Sequence, residues 1–185
     1  MNKEYLAIFD LDGTLFDTRD VNYFSYKEAL AKHNVELDRD FFVNTCNGRH
    51  YKSFLPKLIK EWSVIEEVHN DKKELYKTNL YKAKKNIHLF NLIDLMKSKY
   101  NLALVTTASK QNTLDILNYF KVKDLFDLII TQEDVIHKKP DPEGFLKAIE
   151  YFKVDKEKVI VFEDSPSGII PAKKIGVSVF VVEQF

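Results

Sequence analysis

The pattern of apolar and polar residues changes character twice along the chain. A short apolar run, Tyr5–Phe9, stops at an acidic residue, Asp10, which is typical of a buried strand. From about residue 18 to residue 85 the apolar residues recur at helical spacing and the charge density rises. From Ile87 onward, short apolar runs alternate with amphipathic stretches. This order predicts an α/β unit with a helical segment near its beginning.

Four stripes of apolar residues predict four helices in the segment 18–85. The first contains Val21 and Leu30, and either Asp38 or Asp40 is expected to cap the second. The third is predicted over 54–62, and the fourth contains residues 75–81. Five lysines are interpreted as solvated helix faces: Lys72, Lys73, Lys82, Lys84 and Lys85.

The second half predicts a parallel sheet with helices on both faces. Strands are expected at 102–105, 128–130, 159–162 and 177–182. Helices are expected at 89–99, at 141–152, from Ser109 or Asn112 to residue 120, and in a segment that starts at residue 165. Asp141, Pro142 and Glu143 form the helix-start signal, with Asp141 as the cap. Ligands gather at the carboxyl ends of parallel strands, where Asp10, Thr106 and Glu163-Asp164 are expected to meet.

Composition narrows the class of protein. The 185 residues suit one domain or a domain with an insertion. Lys+Arg and Asp+Glu both total 28, and this zero net charge predicts no attraction to nucleic acid or to an acidic membrane. The single cysteine, Cys46, has no internal disulfide partner, which favours the cytoplasm. We also expect no signal peptide and no transmembrane segment.

Four motifs in order carry a resemblance to the haloacid dehalogenase (HAD) superfamily of phosphotransferases. They are Asp10-Leu-Asp12-Gly13-Thr14, Leu102-Ala-Leu-Val-Thr106-Thr107, Lys139-Pro140-Asp141-Pro142 and Val161-Phe-Glu163-Asp164-Ser165-Pro-Ser-Gly168. The chain resembles the C1-capped members similar to phosphoglycolate phosphatase and β-phosphoglucomutase. The resemblance implies a Rossmann-like core (1–17 and 86–185) and an α-helical C1 cap (18–85) that closes over the site and selects the substrate.

The resemblance assigns the first motif to the chemistry. Asp10 would be the nucleophile, since an ionised carboxylate needs no base to activate it. Asp12 would be the general acid and base, which requires a raised pKa in the first step. An acid at this position favours phosphoryl transfer over carbon–halogen cleavage, because HAD dehalogenases lack it.

Charge counting predicts Mg²⁺, because Asp10, Glu163, Asp164 and a phosphate dianion would repel one another in one pocket. By resemblance, the ligands are the side chains of Asp10 and Asp164 and the backbone carbonyl of Asp12. Glu163 would bind the ion directly or through water.

The remaining candidates bind phosphate. Thr106 would donate its hydroxyl, with further donors from Thr107 and from the amide of Gly13. Lys139, chosen over Lys138 because it directly precedes proline, would be the fixed cation beside Asp10. Arg49 is a candidate contact to a second anionic group of the substrate, and a surface arginine is an equal alternative.

The sequence thus predicts a cytoplasmic, Mg²⁺-dependent phosphatase that hydrolyses a small phosphomonoester through an aspartyl-phosphate intermediate. A β-phosphoglucomutase-like phosphomutase and a non-catalytic ligand-binding protein remain alternatives. The expected partner is a small phosphorylated substrate, without nucleic acid or membrane. An edge strand left missing or exposed after residue 182 would favour dimerisation, and we expect a monomer or weak dimer.

Overall fold

The structure, a computed structural model, describes residues 3–183. Contacts between Cα atoms divide the chain into two compact units. The core unit comprises the described residues up to Asp17 and from Lys84 onward, and the helical unit is Thr18–Ala83. The sequence predicted that the core resumes at residue 86, two residues later than the boundary between the two units. The assignment of these units as a core and a cap domain stays a prediction.

Strands and helices alternate through most of the core unit. The strands are β1 (Tyr5–Phe9), β2 (Phe16–Asp17), β3 (Lys84–Lys85), β4 (Tyr100–Val105), β5 (Leu128–Ile130), β6 (Val159–Glu163) and β7 (Ser178–Val181). The helices of the whole described chain are α1 (Arg19–Ala31), α2 (Arg39–Phe41), α3 (Trp62–Thr78), α4 (Ile87–Met96), α5 (Lys110–Tyr119), α6 (Glu143–Phe152) and α7 (Pro166–Lys174).

A parallel sheet forms the centre of the core unit. Among the described residues its order is β5-β4-β1-β6-β7, and each neighbouring pair is parallel. Ile8 in the middle strand lies opposite Ala103 on one side and Val161 on the other. The predicted α/β class with a Rossmann-like parallel core is confirmed. Because the strands are parallel, the residues that follow β1, β4 and β6 reach the same edge.

Apolar side chains from helices α6 and α7 bury one face of this sheet. Phe145 and Ala148 of α6 and Ala172 of α7 pack with Ile8 and Val161 in one cluster. Full burial of a phenylalanine such as Phe145 contributes about 1.5–3 kcal/mol. This packing holds α6 against the strands whose ends form the candidate site.

Local signals in the second half predicted the elements closely. Ser109 caps α5 by accepting a hydrogen bond from the backbone N–H of Asn112 at 3.2 Å, which decides between the two candidate caps. The predicted start of α6 was one residue early, because Pro142 occupies the cap position. Asp141 instead accepts the backbone N–H of Glu143 at 2.9 Å.

A two-stranded antiparallel ribbon, β2 with β3, was not predicted. Phe16 pairs with Lys85, and Asp17 pairs with Lys84. The interpretation of Lys84 and Lys85 as a helix face was therefore wrong. The Lys85 ammonium lies 4.1 Å from the centre of the Phe90 ring, a cation–π contact.

The helical unit has a core of its own. Helices α1 and α3 pack together, and Tyr26, Leu30, Phe42, Phe54 and Ile65 are among the buried residues between its elements. Asp38 caps α2 by accepting the backbone N–H of Phe41 at 2.7 Å, so Asp38 and not Asp40 is the cap. The chain continues from α2 into a π-helical turn at Phe42–Cys46.

The predicted third helix is wrong. Residues 54–62 contain a 3-10 turn at Leu55–Lys57, and α3 begins only at Trp62. Pro56 explains the difference, because proline donates no backbone hydrogen bond and disfavours helical geometry in the residue before it.

The fourth predicted stripe is divided between two elements. Helix α3 ends at Thr78, and Leu80–Lys82 forms a separate 3-10 turn. Lys72 was expected to be solvated but is only 6% exposed, and its ammonium lies 5.3 and 4.7 Å from the centres of the Tyr26 and Tyr76 rings.

Within residues 3–183, none of the helices combines the length and apolar character that crossing a membrane requires.

Candidate active site

Three acidic side chains of the core unit lie at the carboxyl edge of the sheet. Asp10 directly follows β1, and its backbone N–H donates to the Phe162 carbonyl at 3.0 Å, which extends the pairing of β1 with β6. Glu163 ends β6, and Asp164 follows it. The parallel topology brings these three residues together across more than 150 positions of sequence.

Lys139, from the loop between β5 and α6, lies at the centre of this edge. Its ammonium donates to Asp10 Oδ1 at 2.7 Å, to the Val105 carbonyl at 2.9 Å and to Glu163 Oε1 at 2.6 Å. An ammonium has three N–H donors, so all three are used. The side chain is 6% exposed, and its position is therefore determined by these acceptors and by the Phe145 ring 5.1 Å away.

Glu163 is fully buried and both of its carboxylate oxygens have partners. Oε1 accepts from Lys139, while Oε2 accepts the backbone N–H and the hydroxyl of Ser165, each at 3.0 Å. A Cβ atom at Gly168 would overlap this carboxylate, so glycine is needed for the close approach. Three of the roughly four lone-pair positions of this carboxylate are therefore used, and one on Oε1 is left for a metal ion.

Asp164 is held from the loop that follows Asp10. The Thr14 hydroxyl donates to Asp164 Oδ1 at 3.1 Å. Gly13 has φ +92°, and a Cβ atom there would overlap the Asp164 carboxylate. Only glycine combines this backbone conformation with the required space.

Three carboxylates of this edge could hold a metal ion. One oxygen from each of Asp10, Glu163 and Asp164 lies within 4.8 Å of the others. Burial, together with repulsion from Glu163, raises the pKa of Asp164 to about 6. Burial also raises the pKa of Asp10, although Lys139 acts in the opposite direction. A divalent cation would stabilise the ionised form of both groups.

The ammonium of Lys139 remains charged in this environment. Burial alone lowers the pKa of Lys139, but the Asp10 and Glu163 carboxylates outweigh it and raise the pKa above its ordinary value. The site therefore contains a permanent positive charge beside Asp10.

Asp12 lies in the turn after Asp10. This half-buried residue forms a β-bridge with Phe16, and the turn is closed by the Gly13 N–H donating to the Phe16 carbonyl at 2.8 Å. The Asp12 charge adds, after the larger effect of burial, to the raised pKa values of Asp10 and Asp164. Asp12 is thus close enough to act electrostatically on both carboxylates.

The two threonines after β4 differ. Thr106 is 5% exposed, and its hydroxyl oxygen accepts the Ala108 N–H at 3.0 Å, which leaves the hydroxyl hydrogen for donation. Thr107 is exposed. Lys138 is also exposed and donates to Gln132 Oε1 at 2.8 Å, unlike its neighbour Lys139.

Arg49 belongs to the helical unit. It is exposed in the turn after Phe42–Cys46, where its backbone N–H donates to the Cys46 carbonyl at 3.0 Å. Its part in substrate binding stays a prediction.

Sequence reasoning missed three contributors to the site: Thr14, Ser165 and the Val105 carbonyl. Thr14 and Ser165 lie inside the quoted motifs, beside the acidic residues that they contact, so their positions offered a signal. A backbone carbonyl offers none, because every residue has one.

The comparison with protein families decides the class of protein. Residues 7–182 match the haloacid dehalogenase-like hydrolases. The chain belongs to this family. The predicted membership and the predicted hydrolase class are confirmed.

Within this family, the chain is similar to several proteins and solved structures over most of its length. It is 30% identical over 176 residues to the "Phosphorylated carbohydrates phosphatase" of Thermotoga maritima, covering 92% of this chain and 81% of that protein. A "putative beta-phosphoglucomutase" structure from the same organism is 28% identical with a TM-score of 0.80, covering 98% of this chain and 87% of that one. CbbY from Rhodobacter sphaeroides, solved with phosphate, has a TM-score of 0.83 and 24% identity, covering 100% of this chain and 88% of that one, and supports the fold alone.

Proposed function

We propose that this HAD hydrolase is a Mg²⁺-dependent phosphatase that hydrolyses a small phosphomonoester through a phosphorylated Asp10. The observation that carries the proposal is the Asp10 carboxylate held at 2.7 Å by the buried Lys139, beside Asp164, at the carboxyl edge of the sheet. The name of the 30% identical relative, a phosphatase for phosphorylated carbohydrates, supports a phosphoric monoester hydrolase.

The donor set fits a hard cation. Asp10 and Asp164 offer carboxylate oxygens, the ligands that Mg²⁺ prefers. Burial, together with the Glu163 charge, raises the pKa of Asp164, and a cation would favour its ionised form. We propose these two side chains and the Asp12 carbonyl as ligands, with Glu163 acting through water. A bound Mg²⁺ would neutralise charge on the phosphoryl group and on Asp10.

In the first step, a lone pair of an Asp10 carboxylate oxygen attacks phosphorus. The bond from phosphorus to the ester oxygen breaks, and that oxygen takes a proton from Asp12. The products are the free alcohol and phosphorylated Asp10. Asp12, left ionised, is ready to act as a base.

In the second step, Asp12 removes a proton from a water molecule, and the water oxygen attacks phosphorus. The bond between phosphorus and the Asp10 oxygen breaks, which releases inorganic phosphate and restores the Asp10 carboxylate. Lys139 remains bound to Asp10 and offsets the charge that develops on the phosphoryl oxygens, aided by the Thr106 hydroxyl and the amide of Thr107. The Gly13 amide, which the sequence predicted as a further donor, already donates to the Phe16 carbonyl at 2.8 Å.

A phosphomutase is the second candidate. The similarity to a structure titled as a putative β-phosphoglucomutase favours it, since a sugar hydroxyl in place of water would use the same residues. Isomerisation of β-glucose 1-phosphate, followed by a coupled assay, separates this activity from hydrolysis.

The test measures phosphate release from a panel of phosphomonoesters by wild type and Asp10→Asn, with Mg²⁺ and with EDTA. We expect EDTA to abolish activity and Asp10→Asn to lower kcat by about 10³-fold or more, because the amide is a poor nucleophile. Asp155→Asn, the same change at an exposed position, is the matched control and should retain wild-type activity.

Two results would contradict the proposal. Equal activity in wild type and Asp10→Asn would assign the reaction to another nucleophile. Tight binding of a phosphorylated ligand without turnover by folded wild type would favour the non-catalytic alternative. A cytoplasmic location and a monomer or weak dimer remain part of the proposal, and size-exclusion chromatography tests the latter.

A further inference from the structure

The first turn of α6 holds the loop that contains Lys139. The Glu143 carboxylate accepts the backbone N–H of Ile136 through Oε1 at 2.9 Å and through Oε2 at 3.1 Å. It also accepts the backbone N–H of His137 at 2.7 Å. One side chain thus fixes two consecutive peptide groups, and the second of them lies two residues before Lys139.

These bonds matter because the side chains of that segment offer little anchorage. The Ile136 side chain is 84% exposed, and His137 and Lys138 are exposed as well. Without buried side chains, the path of the backbone over these residues depends on its hydrogen bonds.

Lys147, one turn further along α6, completes the arrangement. Its ammonium lies 2.7 Å from Glu143 Oε1 and donates to the Asp134 carbonyl at 2.7 Å, so it contacts the same loop. The hydrogen bond from Lys147 and the two backbone donors lower the pKa of Glu143 to about 2, so the carboxylate is ionised at neutral pH. Charge-assisted hydrogen bonds of this kind are stronger than neutral ones.

Gly144 and Phe145, the two residues that follow Glu143 in α6, also lie close to Lys139 or to its partners. A Cβ atom at Gly144 would lie 2.7 Å from Val105 Cγ1, so this glycine brings α6 close to the end of β4, whose Val105 carbonyl accepts from Lys139. The Phe145 ring lies 5.1 Å from the Lys139 ammonium. Three consecutive residues therefore act near Lys139: Glu143 binds the loop, Gly144 allows α6 to approach the end of β4, and Phe145 lies beside the ammonium.

We propose that Glu143 is a positioning residue that places the Lys139 ammonium between Asp10 and Glu163 by fixing the backbone of residues 136–137. The inference rests on the proposed function, in which Lys139 assists phosphoryl transfer. A small displacement of a charge that acts in the transition state lowers kcat more than it weakens substrate binding.

The test compares Glu143→Gln, which keeps the shape and removes the charge, with Glu143→Ala, which removes both. Glu150→Gln is the matched control, because it makes the same change at an exposed position of the same helix. With Mg²⁺ and a phosphomonoester substrate, we expect kcat to fall about fivefold in Glu143→Gln and about thirtyfold in Glu143→Ala, with KM changed less than about threefold. Glu150→Gln should stay within about twofold of wild type.

A second measurement is independent of activity. Hydrogen–deuterium exchange of the same proteins, read by NMR at the Ile136 and His137 amides, should be about tenfold faster in both Glu143 variants than in wild type or Glu150→Gln. Amide exchange in β1 should be unchanged, which shows that the fold as a whole is intact.

The outcomes separate the two hypotheses. Unchanged exchange at residues 136 and 137, or faster exchange with unchanged kcat, would overturn the positioning role. Equal losses of kcat in Glu143→Gln and Glu150→Gln would assign the effect to the helix charge and overturn it too. If wild type hydrolyses none of the panel, the proposed function fails, whereas the exchange data still decide whether Glu143 holds the loop.

Discussion

Two neighbouring lysines show how much the surroundings of a residue decide its role. Lys138 is exposed and contacts a glutamine, whereas Lys139 is buried and contacts two carboxylates and a carbonyl. Their side chains are chemically identical, so composition offered no choice between them. The proline that follows Lys139 in the third motif distinguished it, and the structure shows the physical difference.

Gly13 is expected to be essential for activity. In Gly13→Ala the new methyl group would displace the Asp164 carboxylate and the backbone would be strained at φ +92°, so we expect at least a tenfold loss of kcat/KM. Phosphate release at varied Mg²⁺ concentration checks this, and the Mg²⁺ requirement should rise.

Gly176→Ala is the control for backbone strain. Gly176 has φ +83°, but nothing lies within 4 Å of a Cβ atom there. Backbone strain should cost Gly176→Ala about 1 kcal/mol of stability in urea unfolding, and Gly13→Ala should lose at least as much because its methyl group also displaces Asp164. An equal loss of activity in both would show that strain, and not the contact with Asp164, is responsible.

His69 is expected to make stability depend on pH. Its ring stacks on Tyr51 with centroids 3.6 Å apart, and its Nδ1 is buried with no hydrogen-bond partner in the described part of the chain. Burial, with repulsion from Lys73, Lys72 and His50 outweighing Glu66, lowers the pKa of His69 from 6.5 to about 4. The unfolded chain therefore binds the proton more readily, and stability falls as the pH drops from 6.5 towards 4.

His69→Phe keeps the stacked ring and removes this titration. The pKa shift alone corresponds to about 2 kcal/mol between pH 7.5 and pH 5, and solvent screening of this half-buried ring reduces the effect. We therefore expect the stability of His69→Phe relative to wild type to increase by about 1–2 kcal/mol between these pH values, measured by urea unfolding at both. A constant difference between the two proteins at both pH values would contradict the assignment to His69.

At the scale of elements, local sequence signals predicted structure correctly where no other residue in the same segment opposed them. Serine at the start of α5 and the apolar run of β5 predicted those elements, because caps and strands depend on neighbouring residues. The apolar stripe at 54–62 misled, since its spacing fits a helix while Pro56 prevents a continuous one. The ribbon of β2 and β3 escaped prediction because two-residue strands have no periodicity and depend on a partner far along the chain.

The cap of α2 is testable with a matched pair. Asp38→Ala removes the side chain that accepts the Phe41 N–H and should cost about 1 kcal/mol. Asp40→Ala, in the first turn of the same helix, removes the same charge without the cap and should cost less than about 0.5 kcal/mol. Thermal unfolding of both variants measures the difference, and equal losses would mean that charge alone stabilises α2.

At the scale of the whole molecule, the site is held by contacts between distant parts of the chain. Lys139 and Asp10 are separated by 129 positions, and Thr14 and Asp164 by 150. Folding brings the negative charges of the site together, and we expect their repulsion to make the protein sensitive to divalent cations.

We expect Mg²⁺ to stabilise the folded protein. At pH 7.5 and a concentration well above its Kd, Mg²⁺ should raise Tm by about 5 °C, since it binds the folded carboxylate cluster and not the unfolded chain. Asp164→Asn should abolish most of the increase, while Asp155→Asn should retain it. An increase of equal size in both variants would place the stabilising ion elsewhere.

The sequence by itself determined the family, the alternation of strands and helices and the residue types of the site, because motifs and periodicity are local. The tertiary structure decided that the Lys139 ammonium contacts both Asp10 and Glu163, which aspartate caps α2, and that Glu163 has partners on both oxygens. It also decided the contribution of the Val105 carbonyl and of Glu143 to the placement of Lys139. The contacts of Lys139 depend on distances between residues far apart in the chain, which packing sets and no local pattern encodes. The Asp38 cap and the Glu143 contacts are local in sequence, but they depend on the backbone geometry that the folded chain adopts there.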